Sequence, residues 1–204
     1  MSTTPPPSNW NLPNALTTLR IVMVPFFGWA LLVDGGDSVT WRVVAWALFV
    51  AAMITDKIDG DIARSRNLIT DFGKIADPIA DKALTGMAFV GLSVIGELWW
   101  WVTVVVLLRE WGITLLRIWV IRYGVMAAGS GGKLKTVLQT LALGLFVLPL
   151  KQLDGVAGDI GEVLWWIAAL LMAAAVTLTV VTGVDYVVKA LAVRRDGRAE
   201  VTPH

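Results

Sequence analysis

The sequence predicts an all-α integral membrane protein, with six transmembrane helices around a polar cavity that faces the cytoplasm. Three observations carry this reading. Apolar residues fill 56% of the 204 positions and mean hydropathy is +0.70, values of polytopic membrane chains and not of soluble domains. Six apolar segments are long enough to cross a bilayer, which takes roughly 20 residues each. Tryptophan, 11 residues in all, gathers at segment ends, where amphipathic rings favour the membrane–water interface. A soluble helical bundle has no use for six segments of this length.

The chain reads as one domain over 1–204. Residues 1–10, with Pro5, Pro6 and Pro7, form a disordered lead-in. No basic region or small-residue cleavage site precedes the first apolar stretch, so no cleavable signal peptide is expected. The spans fall near 14–33, 41–63, 72–95, 98–122, 133–152 and 160–190, and the last is long enough to project beyond the bilayer. Polar breaks at Asp34 to Ser38, Arg64 to Thr70, Gly96–Glu97, Gly124 to Gly132 and Asp154 to Asp159 separate them.

An even number of spans puts both termini on one side. Arg64, Arg66, Arg122, Lys133, Lys135, Lys189, Arg194, Arg195 and Arg198 fall on that side, which the positive-inside rule makes cytoplasmic. The opposite side carries Arg42 and Lys151 among Asp34, Asp37, Glu97, Asp154, Asp159 and Glu162, with Trp41, Trp99, Trp100, Trp101, Trp165 and Trp166 as its aromatic belt. A basic cytoplasmic tail over 191–204 and a location in the inner (plasma) membrane follow. Cysteine is absent and His204 is the only histidine, which excludes thiolate chemistry and histidine-based metal or acid–base sites.

Asp56, Asp59, Asp77 and Asp81 lie within the second and third spans. Ionisable groups at membrane depth are costly and call for a partner or a function. Their spacings, i/i+3 and i/i+4, gather each pair on one helix face, and oxygen ligands of this kind suit hard divalent cations. By helical rise, Asp59 and Asp56 lie roughly 7 and 12 Å inside the cytoplasmic end, and Asp77 and Asp81 roughly 9 and 15 Å. Arg20 and Arg117 fall within about 10 Å of the same surface, where Lys133 and Lys135 begin span five. Charges from five spans thus meet at one level, as acidic and basic halves of one cavity.

Gly60 and Ala63 share the stripe of Asp56 and Asp59, with Arg64 at its edge, and Gly73 shares that of Asp77 and Asp81. Such small residues allow close helix packing, give a flat ligand access to backbone beside metal, or do both. Pro78 frees a carbonyl near Lys74 and is either a tolerated kink or a shaping element. Asp61 points away from the carboxylate stripe, Asp71 is an N-cap or first-turn acid, and Asp185 and Lys189 form an i/i+4 pair. Lys82, Glu110 and Arg109 are expected to form a buried charge network, which serves helix orientation equally well.

Residues 56–81 read D-x-x-D-G-x-x-A-R, eight residues, then G-x-x-x-D-x-x-x-D, satisfied by Asp56, Asp59, Gly60, Ala63, Arg64, Gly73, Asp77 and Asp81. This pattern resembles the highly specific signature of the CDP-alcohol phosphotransferases. The opening Pro13, Asn14 and Thr17 is similar to that family's P-N-x-x-T lead-in. ADPIADKAL, LLREWGITLLR and GGKLKTVLQT are similar to bacterial, especially actinobacterial, phosphatidylglycerophosphate synthases, so the resemblance covers residues 11 to about 190.

The resemblance implies a six-helix membrane fold, often a homodimer, with two divalent cations, Mg²⁺ or Mn²⁺. It implies transfer of a phosphatidyl group from CDP-diacylglycerol to sn-glycerol 3-phosphate with release of CMP. Asp56, Asp59, Asp77 and Asp81 would bind metal, and Asp81 would act as base or as ligand alone. Asn14, Thr17, Gly60, Ala63, Arg64 and Gly73, beside Asp56 and Asp59, would hold CDP-diacylglycerol. Arg109, Arg117, Lys133 and Lys135 are the cations available for the acceptor phosphate, and the two lysines also serve as topology-setting charges. Membrane lipids are the expected surroundings and nucleic acid is not an expected partner. A cardiolipin synthase of the same family, with phosphatidylglycerol as acceptor, is the nearest alternative. A cation transporter is the alternative of another class, disfavoured because no acidic path leads to the outer face.

Overall fold

The computed structural model describes residues 11–66, 68, 70–120 and 131–199. It contains six α-helices: α1 (Leu12–Leu32), α2 (Val39–Ser65), α3 (Asp71–Val94), α4 (Trp100–Val120), α5 (Gly131–Val147) and α6 (Gly155–Ala199). Each lies close to an expected span. Three stretches, Leu12–Gly36, Val39–Ser65 and Gly155–Ala192, are long and apolar enough to cross a membrane. The surface agrees with a membrane location, because large apolar side chains face outward: Phe26 and Trp29 on α1, Leu108 on α4 and Leu170 on α6 are all more than half exposed. An apolar exterior of this extent suits hydrocarbon and not water.

The helix starts are written locally. The Asn11 side chain accepts from Asn14 N at 2.9 Å and a proline stands in the first turn of α1. Ser38 caps α2, and Thr70 caps α3 by accepting from Gly73 N at 3.1 Å. These are the side chains that satisfy orphan amides at helix starts. Thr70 is therefore the cap and Asp71 the first-turn acid, paired with Lys74 at 2.9 Å. A short 3-10 turn, Val33–Gly36, joins α1 to α2 through residues of positive φ.

Two boundaries differ from expectation. α5 stops at Val147, five residues before the expected end, because Pro149 disfavours helix in the residue before it. α6 runs 45 residues, roughly 68 Å against a hydrocarbon layer of about 30 Å. It carries the helix well into the expected tail. The lead-in 1–10 and the break at 124–130 lie outside the described residues.

α1 packs against both α2 and α3, and α6 against both α4 and α5. The core between them is built from Phe27, Phe49, Leu84, Phe89, Leu143 and Phe146 among others. At one end of the bundle Arg42 is buried, donating to the carbonyls of Phe146, Val147, Leu148 and Gly36. It thereby caps the early end of α5 with the fork of one guanidinium. Glu97, also buried, faces Arg42 at 3.5 Å, pairs with Lys151 at 3.0 Å and accepts from Trp165 Nε1. Tryptophans cluster there, with Trp99 and Trp166 edge-on to Trp165. The aspartates of α2 lie at the other end, roughly 25 Å along the helix from Arg42.

Candidate active site

α1 is the element that organises the carboxylates. Thr17 and Arg20 are three residues apart, so both project from one face of that helix. Both are buried. Arg20 forks across α2, one terminal nitrogen on Asp56 Oδ1 and the other on Asp59 Oδ2. Thr17 Oγ1 donates to Asp77 Oδ1 of α3 at 2.6 Å and lies 3.4 Å from Asp59 Oδ2. One hydroxyl thus touches carboxylates from both facing helices. Asp81 sits one turn further along α3, within electrostatic reach of Asp56, Arg20, Glu110 and Lys135.

The link between α2 and α3 is fastened to the start of α1. Asn14 is buried, and its Oδ1 accepts from the Thr70 hydroxyl at 3.0 Å. Asn11 Nδ2 donates to Leu68 O at 3.4 Å. Gly73 is buried against this joint: a Cβ there would stand 3.1 Å from Asn14 Oδ1 and 3.4 Å from Thr70 Oγ1. Its small size serves close packing of α3 on α1. Gly60 is different, because a Cβ there would meet only the flexible end of Arg64. Arg64 itself is exposed and pairs with Asp61 at 2.8 Å.

A second charged network joins α4, α5 and α6. Glu110 Oε1 accepts from both Lys135 Nζ and Arg109 Nη1, and Arg109 Nη2 donates to Thr182 Oγ1 at 2.9 Å. Lys135 is buried, whereas Lys133 is exposed in the first turn of α5. The expected Lys82–Glu110 contact is corrected here. Lys82 donates to Thr114 Oγ1 and stands over the Trp111 ring, 5.1 Å from its centroid. Lys135 takes its place beside Glu110, because α3 presents Lys82 to the next turn of α4. Asp185 and Lys189 form their i/i+4 pair at 2.7 Å.

The CDP-alcohol phosphatidyltransferase family model matches residues 10–181. The chain belongs to the CDP-alcohol phosphatidyltransferase family. It is 55% identical over 181 residues to a probable phosphatidylglycerophosphate synthase of Mycobacterium tuberculosis, covering 89% of this chain and 82% of the relative. It is 35% identical over 187 residues to the CDP-diacylglycerol–glycerol-3-phosphate 3-phosphatidyltransferase of Bacillus subtilis, covering 87% of this chain and 93% of that one. Identity to the enzyme of the same name from Rickettsia bellii is 38% over 178 residues.

As a CDP-alcohol phosphatidyltransferase the chain is expected to use divalent cations, and its donor set fits them. Carboxylate oxygens come from two facing helices, with Asp56 and Asp59 sharing the Arg20 guanidinium, and such oxygens suit hard cations. Among the described residues no three acidic side chains converge closely enough to enclose an ion. Arg20 lies between Asp56 and Asp59, and Thr17 between Asp59 and Asp77.

Hydrogen bonds to α1 bring together Asn14, Thr17, Asp59, Asp77 and Gly73's turn, with Asp56 tied in by Arg20. Arg109 and Lys135 meet at Glu110, while Ala63 is half-buried near the end of α2. Arg117 lies on α4 with its side chain outside the described residues. Sequence reasoning placed Arg20 at the right depth without giving it a partner. Its i/i+3 spacing from Thr17 was the available signal. Thr70 and Thr182 carried no comparable signal, since their roles depend on contacts 56 and 73 positions away.

Proposed function

We propose that the chain transfers a phosphatidyl group from CDP-diacylglycerol to sn-glycerol 3-phosphate, giving phosphatidylglycerol phosphate and CMP. The observation that carries the proposal is the gathering of Asp56, Asp59 and Asp77 against one face of α1, within a chain 55% identical to a probable phosphatidylglycerophosphate synthase. The names of the Bacillus and Rickettsia relatives support the same donor and acceptor.

In this reading all six helices cross the plasma membrane, both termini are cytoplasmic, and the aspartates line a cavity open to the cytosol. The distribution of Lys and Arg supports that orientation. The enzyme works as a homodimer. Asp56, Asp59, Asp77 and Asp81 hold two divalent cations, Mg²⁺ or Mn²⁺. When bound, such ions supply charge neutralisation at the pyrophosphate and at departing CMP.

The chain's own groups do the rest. Gly60, Ala63, Arg64 and Gly73 border the nucleotide together with Asn14 and Thr17, and Thr17 also fixes Asp77. Asp81 takes the proton of the acceptor hydroxyl as its oxygen bonds to the phosphatidyl phosphorus. The bond from that phosphorus to the CMP oxygen breaks, and its electron pair leaves with CMP. Arg109, Arg117, Lys133 and Lys135 hold the acceptor phosphate. Arg109 and Lys135 share a single carboxylate, Glu110, so one positive charge is left for an anion.

An apolar groove of about 510 Å³ between α2 and α5 supports the lipid half of the reaction. Trp46, Phe49, Met53, Ile54, Leu141 and Gly144 line it, and it reaches Lys57, the neighbour of Asp56. An acyl chain lying there would keep the pyrophosphate beside the aspartates.

The test is CMP release from CDP-diacylglycerol by the purified chain with Mg²⁺, offered glycerol 3-phosphate or phosphatidylglycerol. Release with the first acceptor is expected. Release with phosphatidylglycerol alone would move the chain to cardiolipin synthesis.

A further inference from the structure

We propose that α6 seats Arg109: the Thr182 hydroxyl, the bare backbone at Gly183 and the Tyr186 ring set the direction of its guanidinium, and through it the affinity for the acceptor's phosphate. This rests on the acceptor-phosphate role given above to Arg109. Arg109 Nη1 donates to Glu110 Oε1 at 3.0 Å, and Nη2 donates to Thr182 Oγ1 at 2.9 Å. The Tyr186 ring centroid lies 5.9 Å from Arg109 Cζ, within reach of a cation–π contact. A Cβ at Gly183 would stand 3.3 Å from Arg109 Cγ and 3.9 Å from Nε. The arginine stem thus runs along α6 at the point where that helix carries no side chain.

Helix geometry makes such a seat necessary. Arg109 and Glu110 are neighbours on α4, and neighbouring side chains leave a helix about 100° apart, so they do not face each other. Arg109 meets Glu110 with its stem turned sideways, and α6 supplies the surface on which that stem lies. Thr182 and Tyr186, four positions apart, project from one face of α6, with Gly183 beside them. Thr182 Oγ1 donates its own proton to Leu178 O at 2.6 Å, which turns its lone pairs to other donors. Anchors on both terminal nitrogens, Glu110 on one and Thr182 on the other, fix the plane of the guanidinium. A fixed planar fork is what recognises a phosphate through paired hydrogen bonds. Thr182 and Gly183 are in this sense positioning residues, acting on the acceptor only through Arg109.

The experiment is CMP release by the purified full chain in detergent with Mg²⁺, giving separate KM values for glycerol 3-phosphate and CDP-diacylglycerol, with thermal unfolding followed in parallel. Thr182→Val keeps the shape and loses the accepting oxygen. The KM for glycerol 3-phosphate should rise about fivefold, the scale of one hydrogen bond, while that for CDP-diacylglycerol stays native. Thr182→Ser should recover most of the loss. Gly183→Ala should raise the same KM, because its methyl displaces the arginine stem. Its Tm should be native or higher, since alanine favours helix over glycine.

The deciding comparison places Thr182→Val in an Arg109→Gln chain. Arg109→Gln alone should raise the KM for glycerol 3-phosphate about tenfold or more, and the second substitution should add nothing. A residue that merely packs would contribute equally in both backgrounds, and that result overturns the proposal. Equal rises in the KM of both substrates overturn it as well. If Thr182→Val is not recovered folded, Gly183→Ala replaces it in both backgrounds, and Arg109→Lys can replace Arg109→Gln. Should Arg109→Gln leave the KM for glycerol 3-phosphate native, the acceptor role of Arg109 falls and the seat with it. Should it raise that KM while Thr182→Val and Gly183→Ala do not, the seat alone falls.

Discussion

The Thr17 hydroxyl donates to Asp77 Oδ1 at 2.6 Å across 60 positions of chain, joining α1 to α3 at the depth of the aspartates. A neutral donor to a carboxylate contributes more than an ordinary hydrogen bond. Thr17→Val keeps the shape and removes the donor, and should destabilise the fold by about 1.5–3 kcal/mol. Thermal unfolding in detergent checks this, with Thr17→Ser expected to recover most of the loss. An unchanged Tm for Thr17→Val would show that the bond contributes nothing.

Asp81 is within electrostatic reach of Asp56, Arg20, Glu110 and Lys135, and in the proposed reaction it takes the proton of the acceptor hydroxyl. Asp81→Asn keeps the volume and loses both basicity and most affinity for a cation. CMP release should fall to background while the folded yield stays native. Near-normal turnover would remove Asp81 from both the base and the ligand roles.

Much of this arrangement was legible in the sequence, and the reasons differ from residue to residue. The helix starts at Asn11, Ser38 and Thr70 follow from local capping, and the paired spacing of Asp56 with Asp59 and of Asp77 with Asp81 follows from helical geometry alone. Arg42 was read as a charge on the outer side, yet it is buried against carbonyls more than 100 positions away. That role depends on where Pro149 ends α5, which is local, and on α2 lying beside that end, which is not. Lys82 and Lys135 show the same limit. Both sit at suitable depth, but which of them reaches Glu110 depends on the rotation of α3 and α5 about their own axes. A few tens of degrees decide it, and no periodicity argument is that fine.

Arg42 gives a prediction that separates stability from catalysis. Arg42→Met leaves Glu97 facing Lys151 alone and strips the α5 carbonyls of their donor. Removing one partner of a buried pair costs about 3–5 kcal/mol. The Tm should fall steeply. CMP release per folded molecule should remain near native, because the aspartates lie at the far end of α2. Lost turnover in folded Arg42→Met would show that the two ends are coupled.

Lys135 tests the acceptor half of the site. It is buried and shares Glu110 with Arg109, so Lys135→Met removes a cation and leaves one arginine for one glutamate. The excess positive charge available to a phosphate disappears. The KM for glycerol 3-phosphate should rise by tenfold or more, the scale of one charge-assisted hydrogen bond, with the KM for CDP-diacylglycerol little altered. Equal increases in both constants would count against a separate acceptor subsite. Arg117→Ala should behave in the same way as Lys135→Met.

The groove between α2 and α5 tests the donor half. Gly144 lies in its wall, and a Cβ there would make ordinary contact with Phe49 at 3.7 Å. A methyl group is therefore tolerated, while a longer side chain must project into the groove. Gly144→Leu should leave the fold intact, since the space it enters is open to the membrane and not closed core. The occupied groove should then raise the KM for CDP-diacylglycerol several-fold, because the acyl chain loses its packing contacts with the groove wall. The KM for glycerol 3-phosphate should not move. Gly144→Ala serves as the control, with both constants near native. Short-chain donors should lose less than long-chain ones in Gly144→Leu, since fewer of their methylenes reach the blocked section. If chain length made no difference, the acyl chain would have to lie elsewhere, and the groove would be no more than a gap between helices filled by bulk lipid.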